Sequence, residues 1–145
     1  MIVLDTNVLV YAYHPQLEQH KIVARWLEHS LTKGNESIGL VWPVLSGFIR
    51  ISTNRRVFET PMPINVAVQH VTKLFSHPLV QQLDTTHDHW KVFSSILSEL
   101  GSGGDIVSDV HIAAIAKEHK ASVATTDKDF RRFSDHVKII DPMKK

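Results

Sequence analysis

Short apolar runs alternate along the chain with segments in which apolar residues recur at helical spacing. The runs predict strands at residues 1–4, 37–41, 79–83, 122–125 and 137–140. The helical spacing predicts helices at residues 8–13, 17–31, 43–49, 66–75, 86–100, 106–119 and 128–133. Strands that alternate with helices are typical of a parallel sheet that is covered on both faces. We therefore predict an α/β fold, a three-layer α/β/α sandwich with a parallel sheet.

The composition narrows the class of protein further. A chain of 145 residues has the size of one domain, which we predict to span residues 1–145. The absence of cysteine excludes a disulfide framework and a thiolate metal site, and is typical of a cytoplasmic protein. A formal charge of +1 excludes a strongly cationic surface for nucleic acid, although paired arginines allow a local basic patch. No apolar segment reaches the length of a membrane span, so we expect no membrane partner.

Aspartates lie at the predicted strand ends or near them. Asp5 interrupts an apolar run after the first strand, Asp127 follows the fourth strand, and Asp109 lies in the helix that comes before that strand. In parallel sheets, ligands bind beyond the carboxyl ends of the strands. Carboxylates gathered there indicate a hard divalent cation such as Mg²⁺. Asp127 has an alternative role as a helix cap and Asp109 as a solvated side chain, but Asp5 has no comparable capping role.

Asp105 is a candidate fourth acid. It lies four residues before Asp109, which places the two side chains about 40° apart around a helix axis, on the same face. Two like charges on one face repel unless a cation lies between them. The alternative is that Asp105 only caps the helix that follows it.

Three segments together resemble the PIN-domain family, in particular the VapC-type toxins of bacterial toxin–antitoxin pairs. They are "VLDTNVLVYAY", "SDVHIAAIAKEH" and "VATTDKDF". The resemblance implies a cytoplasmic ribonuclease that depends on Mg²⁺ or Mn²⁺, cleaves RNA, binds a cognate antitoxin and forms a homodimer. It assigns the catalytic and metal-binding positions to Asp5, Asp109 and Asp127. Accessory roles fall to Thr6, Asn7, Thr126 and Asp129.

The chain departs from this family in the helix "WPVLSGFIRIST". Gly47 stands three residues before Arg50, where the family usually carries a glutamate. The departure keeps open a second interpretation, a catalytically weak PIN domain that binds RNA or a protein without efficient cleavage. The retention of Asp5, Asp109 and Asp127 together argues against this second interpretation, and Asp105 is the candidate to supply the missing charge. The candidates for contacts with the RNA backbone are the arginines Arg50, Arg55, Arg56, Arg131 and Arg132.

The histidines and tryptophans receive structural interpretations. His87 and His89 flank Asp88 before a helix, where capping and solvation explain them. His111 lies about 200° around the helix from Asp109 and is expected to face elsewhere. The tryptophans, Trp42 and Trp90, occupy positions compatible with a helix core, and we expect them to pack there rather than stack on bases.

A phosphorelay receiver domain is the alternative from a different class. Asp5, Asp84 and Thr125 imitate its strand-end residues. A receiver, however, carries an adjacent acidic pair at the first site and a lysine that ends the fifth strand. Here the first site reads Asp-Thr-Asn, and Lys138 precedes the apolar residues of the last strand.

Overall fold

Five parallel strands form one sheet in the computed structural model, which describes residues 1–144; Lys145 lies outside the described residues. The strands are β1 to β5: Ile2–Leu4, Ile38–Val41, Val80–Leu83, Ser122–Ala124 and Ile139–Ile140. The α-helices are α1 to α6: Thr6–Tyr13, His20–Thr32, Trp42–Ser52, Ile64–Phe75, His89–Leu100 and Ile106–Glu118. A 3₁₀ helix spans Lys128–Phe133. Helices cover both faces of the sheet, which confirms the predicted three-layer α/β/α architecture.

The strand order reverses beside β1. The order across the sheet is β3-β2-β1-β4-β5, so β1 pairs with β2 on one side and with β4 on the other. Leu4 is aligned with Ala124 at the carboxyl ends of this central pair. A reversal of this kind leaves a crevice beyond the strand ends, because the connections leave in opposite directions. Asp5 follows β1 at this point.

The helix α1 begins at Thr6, earlier than the sequence pattern predicts, because Asp5 caps it. The Asp5 carboxylate accepts a hydrogen bond from the backbone N–H of Thr6, and Asp5 itself has extended backbone geometry. Our expectation that Asp5 has no comparable capping role was therefore wrong. The cap fixes Asp5 between β1 and α1, at the crevice beyond the strand ends.

Both tryptophans that we expected in the core are exposed. Trp42 is 57% exposed and Trp90 is 72% exposed. Each lies in the first turn of its helix, where α3 and α5 begin beyond the sheet. The buried sides of these helices are formed further along by Phe48 and Ile96. The tryptophan rings are therefore available for contacts outside the core.

No helix within residues 1–144 is long and apolar enough to cross a membrane.

Candidate active site

Asp5 is a buried carboxylate held by three donors. It is 4% exposed. Its Oδ1 accepts from the Thr6 backbone N–H at 2.7 Å, and its Oδ2 accepts from the Thr125 hydroxyl at 2.7 Å and the Asn7 amide at 3.2 Å. Leu4 is aligned with Ala124 across the β1–β4 pair. The next residues along these strands, Asp5 and Thr125, therefore lie side by side. The carboxylate is thus fixed in orientation at the sheet's switch point.

Asp127 and Asp109 approach the same place from other elements. Asp127 caps the 3₁₀ helix by accepting from the Asp129 backbone N–H at 2.9 Å, and its own N–H donates to Thr125 at 3.0 Å. The capping alternative is thus confirmed for Asp127. Asp109 lies in the first turn of α6 and its side chain has no hydrogen-bond partner within residues 1–144. Three carboxylates therefore lie in one crevice. They come from the end of β1, the start of the 3₁₀ helix and the first turn of α6.

The crevice is a cavity of about 550 Å³ that contains all three acids. Thr6, Asn7, Gly47 and Arg50 also line it. The rest of the wall is largely apolar and comes from α1, α3, α5 and α6, through Val10, Ile51, Phe93, Val107 and Ile112. We call this space the acid cavity. An apolar wall lowers the local dielectric and strengthens every charge interaction inside it.

Burial, together with electrostatic repulsion, raises the pKa values of two carboxylates in the acid cavity. Burial raises the pKa of Asp109 to about 7, and the charges of Asp5, Asp127 and Asp129 add to that rise. Burial also raises the pKa of Asp5 above its ordinary value; the hydrogen bonds from Thr125 and Thr6 oppose the rise, and the charge of Asp127 adds to it. Three ionised carboxylates are therefore unfavourable here unless a cation joins them.

The described chain supplies no such cation at contact distance. Within residues 1–144, no lysine, arginine or histidine nitrogen lies within 4.0 Å of a carboxylate oxygen of these three aspartates. In the same residues, no three histidine, aspartate or glutamate side chains lie close enough to share one ion. Mg²⁺ needs only one or two protein carboxylates and keeps several waters. The donor set, oxygen ligands with uncompensated charge, therefore fits Mg²⁺ or Mn²⁺.

The predicted accessory residues divide between those that support Asp5 and those that do not. Thr6 and Asn7 both donate to the Asp5 carboxylate. Thr126 does not hold a carboxylate within the described residues: the neighbouring Thr125 does, while the Thr126 backbone N–H donates to Asn7 at 3.3 Å. The carboxylate contact thus falls to Thr125, because successive residues beyond a strand point in different directions, and an accessory role of Thr126 toward a water stays a prediction.

Asp105 and Asp129 lie outside the acid cavity. Asp105 is exposed, and its side chain makes no capping hydrogen bond at the start of α6. Our prediction considered only the separation of about 40° around the helix axis. The rise of about 6 Å along the axis places Asp105 one turn away from Asp109. Asp129 is exposed as well, although its charge raises the pKa of Asp109.

Gly47 has a packing role where the family usually carries a glutamate. A Cβ at this position would lie 3.3 Å from both Thr6 Cγ2 and Thr6 Oγ1. The glycine thus lets α3 approach the start of α1 closely. The position lines the acid cavity, so a longer side chain here would enter it.

The predicted arginines are dispersed. Arg50 lines the acid cavity. Arg131 lines a neighbouring groove with Lys128 and Lys144, and this groove meets the acid cavity at Asp127. The other three, Arg55, Arg56 and Arg132, line neither space, and Arg132 donates to Ser102 at 2.9 Å.

Two histidines belong to a chain of hydrogen bonds that the sequence did not reveal. His89 is not a solvated cap: its Nδ1 lies 2.6 Å from Glu118 Oε2 and its Nε2 lies 3.0 Å from His111 Nδ1. His111 also lines the acid cavity, against our expectation, because that cavity runs along more than one face of α6. Burial and the neighbouring His89 lower the pKa of His111. Glu118 lies 29 residues from His89, so no local pattern connects them.

Residues 2–135 match the family model that describes the PIN domain. The chain belongs to the PIN-domain family. Two ribonucleases of Mycobacterium tuberculosis are similar to it over most of their length. VapC37 is 35% identical over 133 residues, with 92% of each chain covered. VapC43 is 38% identical over 133 residues, with 92% of this chain and 90% of that protein covered.

Solved structures agree with the PIN fold. One such structure is VapBC2 from Rickettsia felis, bound to a DNA fragment from its promoter. A chain of that structure superposes on this protein with a TM-score of 0.69 at 19% identity. The match covers 97% of this PIN domain and 98% of that chain. The predicted family and fold are thus confirmed, and the receiver interpretation is excluded.

Proposed function

We propose that this PIN domain is an endoribonuclease that depends on Mg²⁺ or Mn²⁺ and acts as the toxin of a toxin–antitoxin pair. The observation that carries the proposal is the acid cavity, in which three carboxylates meet without a cationic partner at contact distance. The similar proteins VapC37 and VapC43 are ribonucleases, which supports the reaction class. The VapBC2 structure supports a protein partner of the VapB kind, the antitoxin.

The residues of the cavity divide the work of hydrolysing an RNA phosphodiester. One or two of Asp5, Asp109 and Asp127 would bind the ion directly, and the remaining acid would hold its waters. Thr125 and Asn7 keep the Asp5 oxygens in place through their hydrogen bonds. When bound, the ion lowers the pKa of a water and neutralises charge on the phosphate.

Basic side chains on both sides of the acid cavity fit an RNA backbone. Arg50 lines the cavity itself, while Lys128, Arg131 and Lys144 line the groove that meets it at Asp127. Contacts of this kind position a strand without reading its sequence. We therefore infer that the substrate strand passes across Asp127, with phosphates near Arg131 on one side and Arg50 on the other.

A catalytically weak domain is the second candidate, and one observation favours it. Gly47 supplies no oxygen, and within residues 1–144 no three acids lie close enough to share one ion. In that case the same cavity would bind RNA or a protein without efficient cleavage.

The test is the cleavage of RNA by the purified full chain with Mg²⁺, with Mn²⁺ and with EDTA. We expect cleavage with either ion, none with EDTA, and a large loss in Asp127→Asn. The matched control is Asp135→Asn, which removes an exposed acid away from the cavity. In bacteria without the partner, expression should slow growth, and Asp109→Asn should restore it at equal protein levels. Cleavage that persists in EDTA, or a loss as large in the control, would contradict the proposal.

A further inference from the structure

A chain of hydrogen bonds leads from a buried glutamate to the wall of the acid cavity. The Glu118 side chain is 1% exposed. Its Oε1 accepts from the backbone N–H of Thr86 at 2.9 Å and from the Thr86 hydroxyl at 2.7 Å. Its Oε2 faces His89 Nδ1 at 2.6 Å, and His89 Nε2 faces His111 Nδ1 at 3.0 Å. Phe93 packs against both rings, with centroid distances of 5.4 Å.

The direction of these bonds follows from the carboxylate. An ionised glutamate only accepts, and a neutral imidazole donates through one nitrogen and accepts through the other. When both rings are neutral, His89 therefore donates through Nδ1 and accepts through Nε2. His111 must donate through Nδ1, which leaves a lone pair on its Nε2. The buried charge of Glu118 thus fixes His111 as a hydrogen-bond acceptor.

The free nitrogen of His111 opens to solvent beside the acids. Nε2 has no hydrogen-bond partner within residues 1–144, and no side-chain nitrogen or oxygen there is both buried and unpartnered. His111 lines the acid cavity and also an adjoining groove that contains the exposed Trp42, and Pro43 lines both spaces. His111 therefore stands at the junction between the acids and the groove.

We propose that His111 binds a ribose 2′-hydroxyl of the RNA strand, and that Glu118 and His89 act through it as positioning residues. The inference rests on the proposed function. A lone pair at this junction repels phosphate oxygens and requires a donor. Every ribonucleotide carries one in its 2′-hydroxyl, the group that distinguishes RNA from DNA. The hydrogen bonds from Glu118 through His89 to His111 would thus make the cavity prefer RNA to DNA.

Glu118→Gln reverses the direction of these hydrogen bonds and leaves His111 itself unchanged. The two Thr86 donors hold the amide oxygen, so the amide NH₂ faces His89 Nδ1. His89 then donates through Nε2, and His111 accepts through Nδ1 and carries its proton on Nε2. The variant therefore turns the acceptor at the junction into a donor.

The experiment compares the affinity for an oligoribonucleotide with the affinity for the same sequence carrying 2′-fluorine throughout, which cannot donate. Fluorescence anisotropy at pH 8 is measured in an Asp5→Asn background, so that cleavage does not interfere. With the chain intact, the hydroxyl form should bind about 3- to 10-fold more tightly, the value of one hydrogen bond. Glu118→Gln and His111→Phe should each bring this ratio close to one.

The matched control is Glu99→Gln, which removes the carboxylate from another glutamate–histidine pair. Glu99 lies on α5, as His89 does, and its Oε2 is 2.8 Å from His136 Nε2. It should leave the ratio unchanged. ¹⁵N NMR of the imidazoles gives a second measurement, with Nε2 of His111 unprotonated in the parent and protonated in Glu118→Gln.

A ratio near one in the parent, a ratio that survives both variants, or a proton already on Nε2 in the parent would overturn the inference. Equal weakening of both oligonucleotides by His111→Phe would show a contact with another group, which also overturns it. A failure of the proposed function is separate, because it appears as absent RNA cleavage by the chain with intact Asp5.

Discussion

Asp5 and Glu118 are both buried carboxylates that accept three hydrogen bonds, yet their pKa values move in opposite directions. Burial tends to raise the pKa of Glu118, but the hydrogen bonds from His89 and Thr86 outweigh it and hold the pKa below its ordinary value. Burial raises the pKa of Asp5, where the hydrogen bonds from Thr125 and Thr6 do not suffice. The difference teaches that satisfying a carboxylate's hydrogen bonds does not balance its charge. The hydrogen bonds of Asp5 are satisfied, yet the acid cavity around it remains electrostatically incomplete.

Burial is the largest cause of the raised pKa of Asp5, and the neighbours of the two carboxylates add to the difference. Glu118 faces a titratable ring, that of His89. Asp5 shares its cavity with Asp109 and Asp127, whose charges repel one another. The charge of Glu118 is therefore stabilised by protein groups alone, whereas the charges of the acid cavity need a cation.

The largest expected effect is on cleavage, from Asp5→Asn. The asparagine oxygen still accepts from the Thr6 N–H, and its amide can donate to the Thr125 hydroxyl, so the fold should persist. The loss of one ligand charge from the ion should lower the cleavage rate about 100-fold or more. Initial rates on RNA, with circular dichroism as the control for folding, give the result. Full activity in a folded variant would show that Asp5 has no part in the reaction.

Opposite changes in stability should follow when the two kinds of carboxylate are neutralised. At pH 8 in EDTA, Asp109→Asn should raise the free energy of unfolding by about 1 kcal/mol, or Tm by about 3 °C, since it removes a charge that burial and the neighbouring acids disfavour and that solvent partly screens. Glu118→Gln should lower the free energy of unfolding by about 2 kcal/mol, because it removes a charge-assisted hydrogen bond.

The pH dependence of these effects also differs in sign. The pKa of Asp109 rises on folding from 3.8 to about 7, so its contribution destabilises the metal-free protein progressively as pH rises through this range. The lowered pKa of Glu118 gives stability that is present above its ordinary value of 4.5 and is lost as pH falls. Thermal melting of the parent, Asp109→Asn and Glu118→Gln between pH 2 and pH 8 separates the two contributions, and changes of the same sign would refute the comparison.

A smaller effect is expected from adding a further charge to the acid cavity. Gly47→Glu should tighten Mn²⁺ binding relative to Gly47→Gln, which has the same size and no charge. Both variants must accommodate a Cβ 3.3 Å from Thr6, so their shared loss of stability cancels in this comparison. Without metal, Gly47→Glu should melt at a lower temperature than Gly47→Gln. Equal Mn²⁺ affinities would mean that the glutamate does not reach the ion.

The smallest effect is expected from Asp105→Asn. Asp105 is exposed, and it does not line the acid cavity. Mn²⁺ affinity should therefore change less than about twofold and Tm by less than about 1 °C, as for other surface substitutions. Calorimetry and thermal melting measure these values. A clear loss of Mn²⁺ affinity would restore Asp105 to the set of ligands.

The sequence was sufficient to predict where the acids meet. Apolar runs located the strands to within a few residues, and the rule that parallel strands present their carboxyl ends together brought Asp5 and Asp127 to one edge. The helical position of Asp109 followed from the spacing of apolar residues in α6. These predictions depend on local periodicity and on one topological rule.

The remaining features depend on tertiary register, which local patterns do not encode. Thr125 rather than Thr126 holds Asp5 because of the alignment of β1 with β4. The contact between His89 and His111 joins two helices across 22 residues of sequence. Trp42 has an apolar ring at a helical position, yet it lies on the exposed side of the first turn of α3, whose Val44 and Leu45 are buried.

Calorimetric titration of Mn²⁺ into the metal-free protein tests the central claim most directly, because it asks whether the acid cavity takes up the cation that its charges require. At pH 8 we expect binding by the parent and by Asp135→Asn with equal affinity, and an affinity at least about tenfold lower in Asp109→Asn, since affinity follows the number of ligand charges. No binding by the parent, or equal affinity in Asp109→Asn, would contradict the account.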